Sequence, residues 1–208
     1  MAGNRPVSNP LALTVLSYLT RGPMHPYDLV RTLRDNADGR SVKFTPASVY
    51  MVIQQLAKAG FVVEHETLRT GMRPERTTYA LTESGRQEWH DWLRELAELP
   101  RHEYPQFVVA LSLLAALSPA EVAGLMRERA HRVAQLRAQT QAMIDEALAG
   151  GLAPLFLVDE EYRVALLDAE TTFLGRLIER ITDPENGWAG PWAAHLLQNS
   201  SSEKARSR

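Results

Sequence analysis

Thr45-Pro46-Ala47-Ser48-Val49-Tyr50-Met51-Val52-Ile53-Gln54-Gln55-Leu56-Ala57-Lys58-Ala59-Gly60 is the stretch that decides the fold. Thr45 can accept a backbone N–H as an N-cap, and Pro46 suits the first helical position. Val49, Ile53 and Leu56 fall at i, i+4 and i+7, so they share one face, which Val52 widens. The opposite face carries Ala47, Ser48, Met51, Gln54, Gln55 and Lys58 and is polar but nearly uncharged. Gly60 stops the helix. Residues 61–67 and 76–81 then read as a β-hairpin, because Thr77-Thr78-Tyr79-Ala80-Leu81 alternates while Gly71 and Pro74 favour a loop. Arg69, Arg73 and Arg76 flank its tip. A capped helix followed by a two-stranded ribbon with a basic tip is the layout of a winged helix-turn-helix.

Working outward, a helix is expected over Pro10–Thr20, with Leu11, Leu13, Val15, Leu16 and Leu19 on its apolar face. Arg21-Gly22-Pro23 stops it. A second runs from Pro26 to Asn36 with Tyr27, Leu29, Val30 and Leu33 inward. After the hairpin Thr82 caps a linking helix with Trp89, Trp92, Leu93 and Leu96 at helical spacing, ended by Pro100. The segment Phe107–Leu117 is apolar on nearly every side, so it must be surrounded by protein. Ser118-Pro119-Ala120-Glu121 is a capping box opening a helix that reaches Leu148. Val122, Met126, Arg129, Val133, Leu136, Thr140, Met143 and Ala147 recur along it in alternating steps of four and three, a heptad seam broken by Arg129 and Thr140. A last helix runs from Asp159 to Asp183 with a stripe of Tyr162, Leu166, Ala169, Phe173, Leu177 and Ile181. Trp188 and Trp192 tack the segment after Pro184 onto the body.

These readings give a mainly α protein in two parts. Residues 1–9 are a flexible tail, 10–98 a winged-helix domain with its linking helix, 104–183 a helical dimerisation domain, and 184–208 a partly disordered C-terminal extension. Apolar residues at 45% are ordinary for a folded chain. The absence of Cys rules out disulfides and thiolate metal sites and fits a cytoplasmic setting. No apolar run approaches the roughly 20 residues of a membrane span. Net charge is −2, so nucleic-acid binding must rest on local placement of cations. The six His residues are scattered without metal-ligand spacing, no phosphate-binding loop is present, and Ser84-Gly85 lacks a nucleophile-elbow context. Catalysis, metal and cofactor are therefore not expected.

Several motifs together resemble the PadR family of bacterial transcriptional regulators. They are Gly22-Pro23-Met24-His25-Pro26-Tyr27, Ser48-Val49-Tyr50, the exit from Leu56 to Val62, and Tyr79-Ala80-Leu81-Thr82-Glu83-Ser84-Gly85. Leu111–Arg132 resembles the long C-terminal helical domain of one subgroup. Pro26 stands where the family has Gly, removing an N–H, and Gln54 and Gln55 stand where relatives often place Lys or Arg. Gln still suits adenine edges in a major groove.

The resemblance implies a DNA-binding regulator, a repressor that binds a palindromic operator as a homodimer. The duplex contacts would come from Lys43, Thr45, Ala47, Ser48, Tyr50, Met51, Gln54, Gln55, Lys58, Arg69, Arg73 and Arg76. Val122, Met126, Val133, Leu136, Met143, Leu166, Phe173 and Leu177 would pair the subunits. Relatives sense phenolic or drug-like compounds in aromatic-lined cavities, which points to Trp89, Trp92, Tyr104 and Phe107 for a small aromatic effector. Two other readings remain open: a winged-helix module that binds protein, and a small-molecule-binding protein without a DNA function.

Overall fold

The computed structural model describes residues 5–68 and 76–206. The chain divides into two units, Met1–His102 and Glu103–Arg208.

In the first unit the helices are α1 (Pro10–Leu19), α2 (Pro26–Asp35), α3 (Pro46–Lys58) and α4 (Glu83–Glu98). Strands β1 (Val62–Leu68) and β2 (Arg76–Leu81) pair antiparallel, from Val62 opposite Leu81 to Leu68 opposite Arg76, with an irregularity between Glu64 and Glu66. Met24 and Tyr79 exchange two backbone hydrogen bonds (3.0 and 2.9 Å), so the α1–α2 turn edges the ribbon. One core collects Leu11, Val15 and Leu16 of α1, Leu29 and Leu33 of α2, Val49, Ile53 and Leu56 of α3, and Trp92 of α4. This is the three-helix arrangement with a wing. Tyr27, expected inward, is 59% exposed. It lies off the stripe of Pro26, Leu29, Val30 and Leu33 that α2 buries.

Residues 5–9 are not a free tail. Val7 is buried in the core, Asn9 caps α1 through the N–H of Leu11 (3.0 Å), and Arg5 pairs with Glu88 and Glu95 of α4. Its guanidinium lies 5.3 Å from the centre of the Trp92 ring. Composition gave no warning of this, because a short polar segment is ordered only by partners distant in sequence.

In the second unit α5 (Gln106–Leu113) leads through a 3₁₀ turn to α6 (Pro119–Ala149), which pairs with α7 (Val158–Thr182); α8 spans Ala189–Arg206. The pairing is antiparallel, since Val122 and Met126 near the start of α6 meet Leu174 and Ile181, while Ile144 near its end meets Leu157 and Val164. Arg129 bonds Glu170 (2.5 Å) and Arg137 bonds Asp168 (3.1 Å) across the pair. α8 occupies the segment for which composition suggested partial disorder. Trp192 ties it down, its Nε1–H donating to the Ala115 carbonyl at 3.3 Å.

Candidate nucleic-acid interface

The interface is built on α3. Thr45 and Ser48 form a reciprocal cap: the Ser48 N–H donates to Thr45 Oγ1 (3.1 Å) and the Thr45 N–H to Ser48 Oγ (2.8 Å). Two otherwise orphaned donors are thereby satisfied at the helix end. At the other end Gly60 adopts φ +77°, and the N–H groups of Gly60 and Phe61 return to the carbonyls of Ala57 (3.0 Å) and Leu56 (2.9 Å). That is a Schellman stop, which favours Gly because of the left-handed backbone. Val49, Val52, Ile53 and Leu56 are all buried, so the rotation of the helix about its axis is fixed.

That rotation leaves Ala47, Tyr50, Met51, Gln54, Gln55 and Lys58 exposed and Ser48 half-buried. Met51 is 54% and Tyr50 43% exposed. Lys43 and Thr45 precede them on the same exposed approach. The face thus offers one cation, two amides, a phenol and a thioether, a surface able to touch base edges while leaving most phosphate neutralisation to other elements. Arg69 and Arg73 lie outside the described residues, and Arg76 is described as the first residue of β2.

The exit of α3, the wing and α4 are clasped together by one residue. Thr82 Oγ1 lies 2.8 Å from the Gly60 carbonyl and accepts the N–H of Gly85 (3.0 Å), while the Thr82 N–H donates to the Phe61 carbonyl (3.0 Å). Ser84 Oγ reinforces it by donating to Gly60 (3.0 Å). Gly85 packs so closely that a Cβ there would lie 1.9 Å from the Phe61 carbonyl oxygen. On β2, burial and then the neighbouring Glu64 push the Tyr79 phenol up from its ordinary value, so it stays neutral beneath the wing.

The residues assigned to an effector divide between the units. Trp92 is buried in the first core under Arg5, and Trp89 packs partly against that core. Tyr104 is 84% exposed; Phe107 packs beside the second core with the Arg129 guanidinium 3.5 Å from its ring centre. Trp92 is therefore a structural aromatic, because helical spacing alone cannot tell a core ring from a ligand-facing one.

The residues assigned to subunit pairing divide too. Val122, Met126 and Val133 are buried against α7 of the same chain, with Leu177 partly buried beside them. A heptad row is satisfied equally well by an intramolecular partner. Leu136, Leu166 and Phe173 remain exposed at 53%, 52% and 44%, and Met143 is half-buried. The α7 stripe expected from Tyr162 to Ile181 is likewise corrected. Val164, Leu174 and Ile181 face α6, whereas Tyr162, Leu166 and Phe173 face outward. α5 has no buried residue although most of its side chains are apolar.

Comparison with known proteins adds to this geometry. Residues 15–91 match the sequence model of the transcriptional regulator PadR-like family. Over 119 residues the chain is 26% identical to the negative transcriptional regulator PadR of Bacillus subtilis, an alignment that takes in 57% of this chain and 64% of that relative's length. The chain is also similar in structure to Bacillus subtilis PadR in complex with operator DNA, with a TM-score of 0.67 at 21% identity over 83% of this chain and 99% of that one. The structure of the same protein in complex with p-coumaric acid gives a TM-score of 0.67 at 19% identity, over 82% and 98% of the two chains. At such identities the solved structures establish a shared fold.

Proposed function

We propose that this chain, whose residues 15–91 match the sequence model of the PadR-like family of transcriptional regulators, is a homodimeric, effector-responsive repressor of a palindromic operator. The observation that carries the reading is the exposed Ala47–Met51–Gln54–Gln55–Lys58 face on a helix capped at both ends and rotationally fixed by its core. Such a helix can enter a major groove, where Gln54 and Gln55 would meet base edges; backbone contacts by Arg69, Arg73 and Arg76 remain the expectation drawn from the sequence. Repression and a small aromatic effector are carried over from the Bacillus subtilis relative, named a negative regulator and crystallised with p-coumaric acid.

Pairing is supported from within the chain. α5 is apolar and uncovered, with Val108, Val109 and Leu113 more than half exposed. A patch of this kind normally marks an interface. A two-fold dimer would set two α3 helices about 34 Å apart, one helical turn of DNA. No described helix is long and apolar enough to cross a membrane, and the reading places the protein in the cytoplasm with its operator.

Selection of bound duplexes from a random pool tests the proposal. Two inverted half-sites one turn apart, with affinity falling steeply as salt rises, are the expected outcome. Gln54→Ala with Gln55→Ala should relax the selected sequence while leaving weak general binding intact. A module that binds protein would retain no duplex even at low salt, and that result would refute the proposal.

A further inference from the structure

A cleft of about 640 Å³ lies in the first unit, between the C-terminal end of α3 and the segment that precedes α1. Ser8 and Asn9 stand on one wall, Gln55 and Lys58 on the other. All four are exposed, so the cleft is an open trough. The wall formed by the segment is held on both sides of Ser8. On one side Arg5 pairs with Glu88 and Glu95 of α4, and Val7 is buried in the core. On the other, Asn9 caps α1 by accepting the Leu11 N–H (3.0 Å). The segment is therefore a fixed strap alongside α3. It lies outside residues 15–91, the part of the chain that matches the PadR-like family.

Every polar side chain lining the cleft can donate: the Ser8 hydroxyl, the Asn9 and Gln55 amides and the Lys58 ammonium. Among the described residues no carboxylate lines it. Asn9 Oδ1 is engaged by the cap, which leaves its Nδ2 group to donate. Among the described residues Ser8, Gln55 and Lys58 have no side-chain hydrogen bond or ion pair. Several free donors with one positive charge suit an anion that presents several acceptor oxygens. Gln55 and Lys58 also belong to the exposed face of α3, so the cleft continues that face. A helix with its side chains is roughly 10–12 Å across, and the major groove is about 12 Å wide. A helix seated there fills the groove, and whatever lies along its flank meets the phosphate backbone that walls it. The exposed face of α3 carries a single cation, so neutral donors on a fixed strap supply contacts that its charge does not.

We propose that the strap is a further DNA-backbone element, in which Ser8 and Asn9, with Lys58 across the cleft, hold one operator phosphate in each half-site. The proposal rests on the reading of α3 as the helix that enters the major groove. Phosphate oxygens are alike at every base step, so the strap adds affinity on all sequences and no base preference. Arg5 is a positioning residue. Its grip on α4 fixes Ser8 and Asn9 before the duplex arrives, so little ordering cost is left for binding.

The test measures binding of full-length protein to the duplex selected from the random pool and to an unrelated duplex, over a range of salt. Wild type is compared with Ser8→Asp, Asn9→Asp and Ser8→Arg. Asn9→Asp keeps the capping oxygen and replaces the donor by a charge that repels phosphate. Ser8→Asp and Asn9→Asp should each weaken both duplexes on the order of tenfold without changing the selected sequence. The deficit should narrow as salt rises, because the repulsion is screened. Ser8→Arg should tighten both duplexes and steepen the salt dependence by about one counter-ion, a gain that misfolding cannot produce. Replacing the operator phosphates one at a time by neutral methylphosphonates then locates the contact. At one position in each half-site the deficit of Asn9→Asp should disappear. Arg5→Gln should also weaken both duplexes, and its deficit should shrink at that same position, which a merely structural role would not produce. Wild-type affinity in the two Asp variants, no gain in Ser8→Arg, or a deficit that no single methylphosphonate relieves overturns the strap and leaves the reading of α3 standing. If Ser8→Asp and Asn9→Asp lose binding of inorganic phosphate, followed by calorimetry, but hold both duplexes as wild type does, the cleft is a free-anion site and the proposal falls. If wild type binds no duplex even at low salt, the reading of α3 falls and the strap with it.

Discussion

Thr45 and Arg5 show how much a single side chain can contribute here. Thr45 closes a reciprocal cap with Ser48. Thr45→Ala should lower stability by about 1 kcal/mol, measured by chemical denaturation, because Ser48 N–H loses its acceptor; an unchanged midpoint would show the cap to be idle. Arg5 latches the chain start to Glu88 and Glu95. The hydrogen bond from Arg5, followed by that from Arg101, holds the Glu95 carboxyl below its ordinary value of 4.5. A depressed carboxylate contributes stability that is fully present above the unfolded value and is lost as pH falls through the folded one. Arg5→Ala should therefore lower Tm at neutral pH, and the gap from wild type should narrow only below about pH 4.5. A gap that persists undiminished in acid would mean that Arg5 acts through Trp92 alone. The N-terminal cap could be read from Thr45-Pro46 because its partners are three residues apart. The Arg5 latch could not, because its partners lie 83 and 90 residues away.

At the level of elements, the junction of α3, wing and α4 depends on one close approach. A Cβ at Gly85 would lie 1.9 Å from the carbonyl oxygen of Phe61 and 2.8 Å from its carbonyl carbon, main-chain atoms that cannot swing aside. Gly85→Ala should cost about 2–3 kcal/mol and weaken operator binding, since α4 must move away from the Phe61 backbone that joins α3 to the ribbon. Thermal unfolding and duplex titration of the variant would check it; wild-type values in both would mean that the clasp is slack. The rotation of α3 was legible because its apolar residues form a single row. α7 carries two such rows, Tyr162–Leu166–Phe173 and Val164–Leu174–Ile181. Periodicity cannot choose between two rows of similar strength; the choice came from the fit to α6.

For the molecule as a whole, the decisive feature is apolar surface that the described residues leave uncovered. α5 buries none of its residues, and Leu113 is 64% exposed. In a monomer Leu113→Glu would be nearly neutral, because the side chain already meets water. In the proposed dimer it would bury an unpaired charge, so dissociation should rise more than a hundredfold, about 3 kcal/mol or more. Light scattering over a dilution series separates the two, and an unaltered dimer in the variant would move the interface away from α5. Operator affinity should fall with dimerisation, since each half-site alone supplies only half of the contacts.

What the chain determined by itself is what local chemistry controls. The caps at Thr45, Thr82 and Ser118, the stop at Gly60, the buried row of α3 and the motifs shared with the PadR-like family all depend on residues within a few turns of one another. What only the tertiary structure decided is which of several adequate apolar surfaces is used and by whom. It assigned Val122, Met126 and Val133 to α7 of the same chain, Trp92 to the core beneath Arg5, and the Trp192 indole to the Ala115 carbonyl. The hydrophobic effect is non-directional: it specifies that such faces be covered, and the three-dimensional fit of the partners selects the cover.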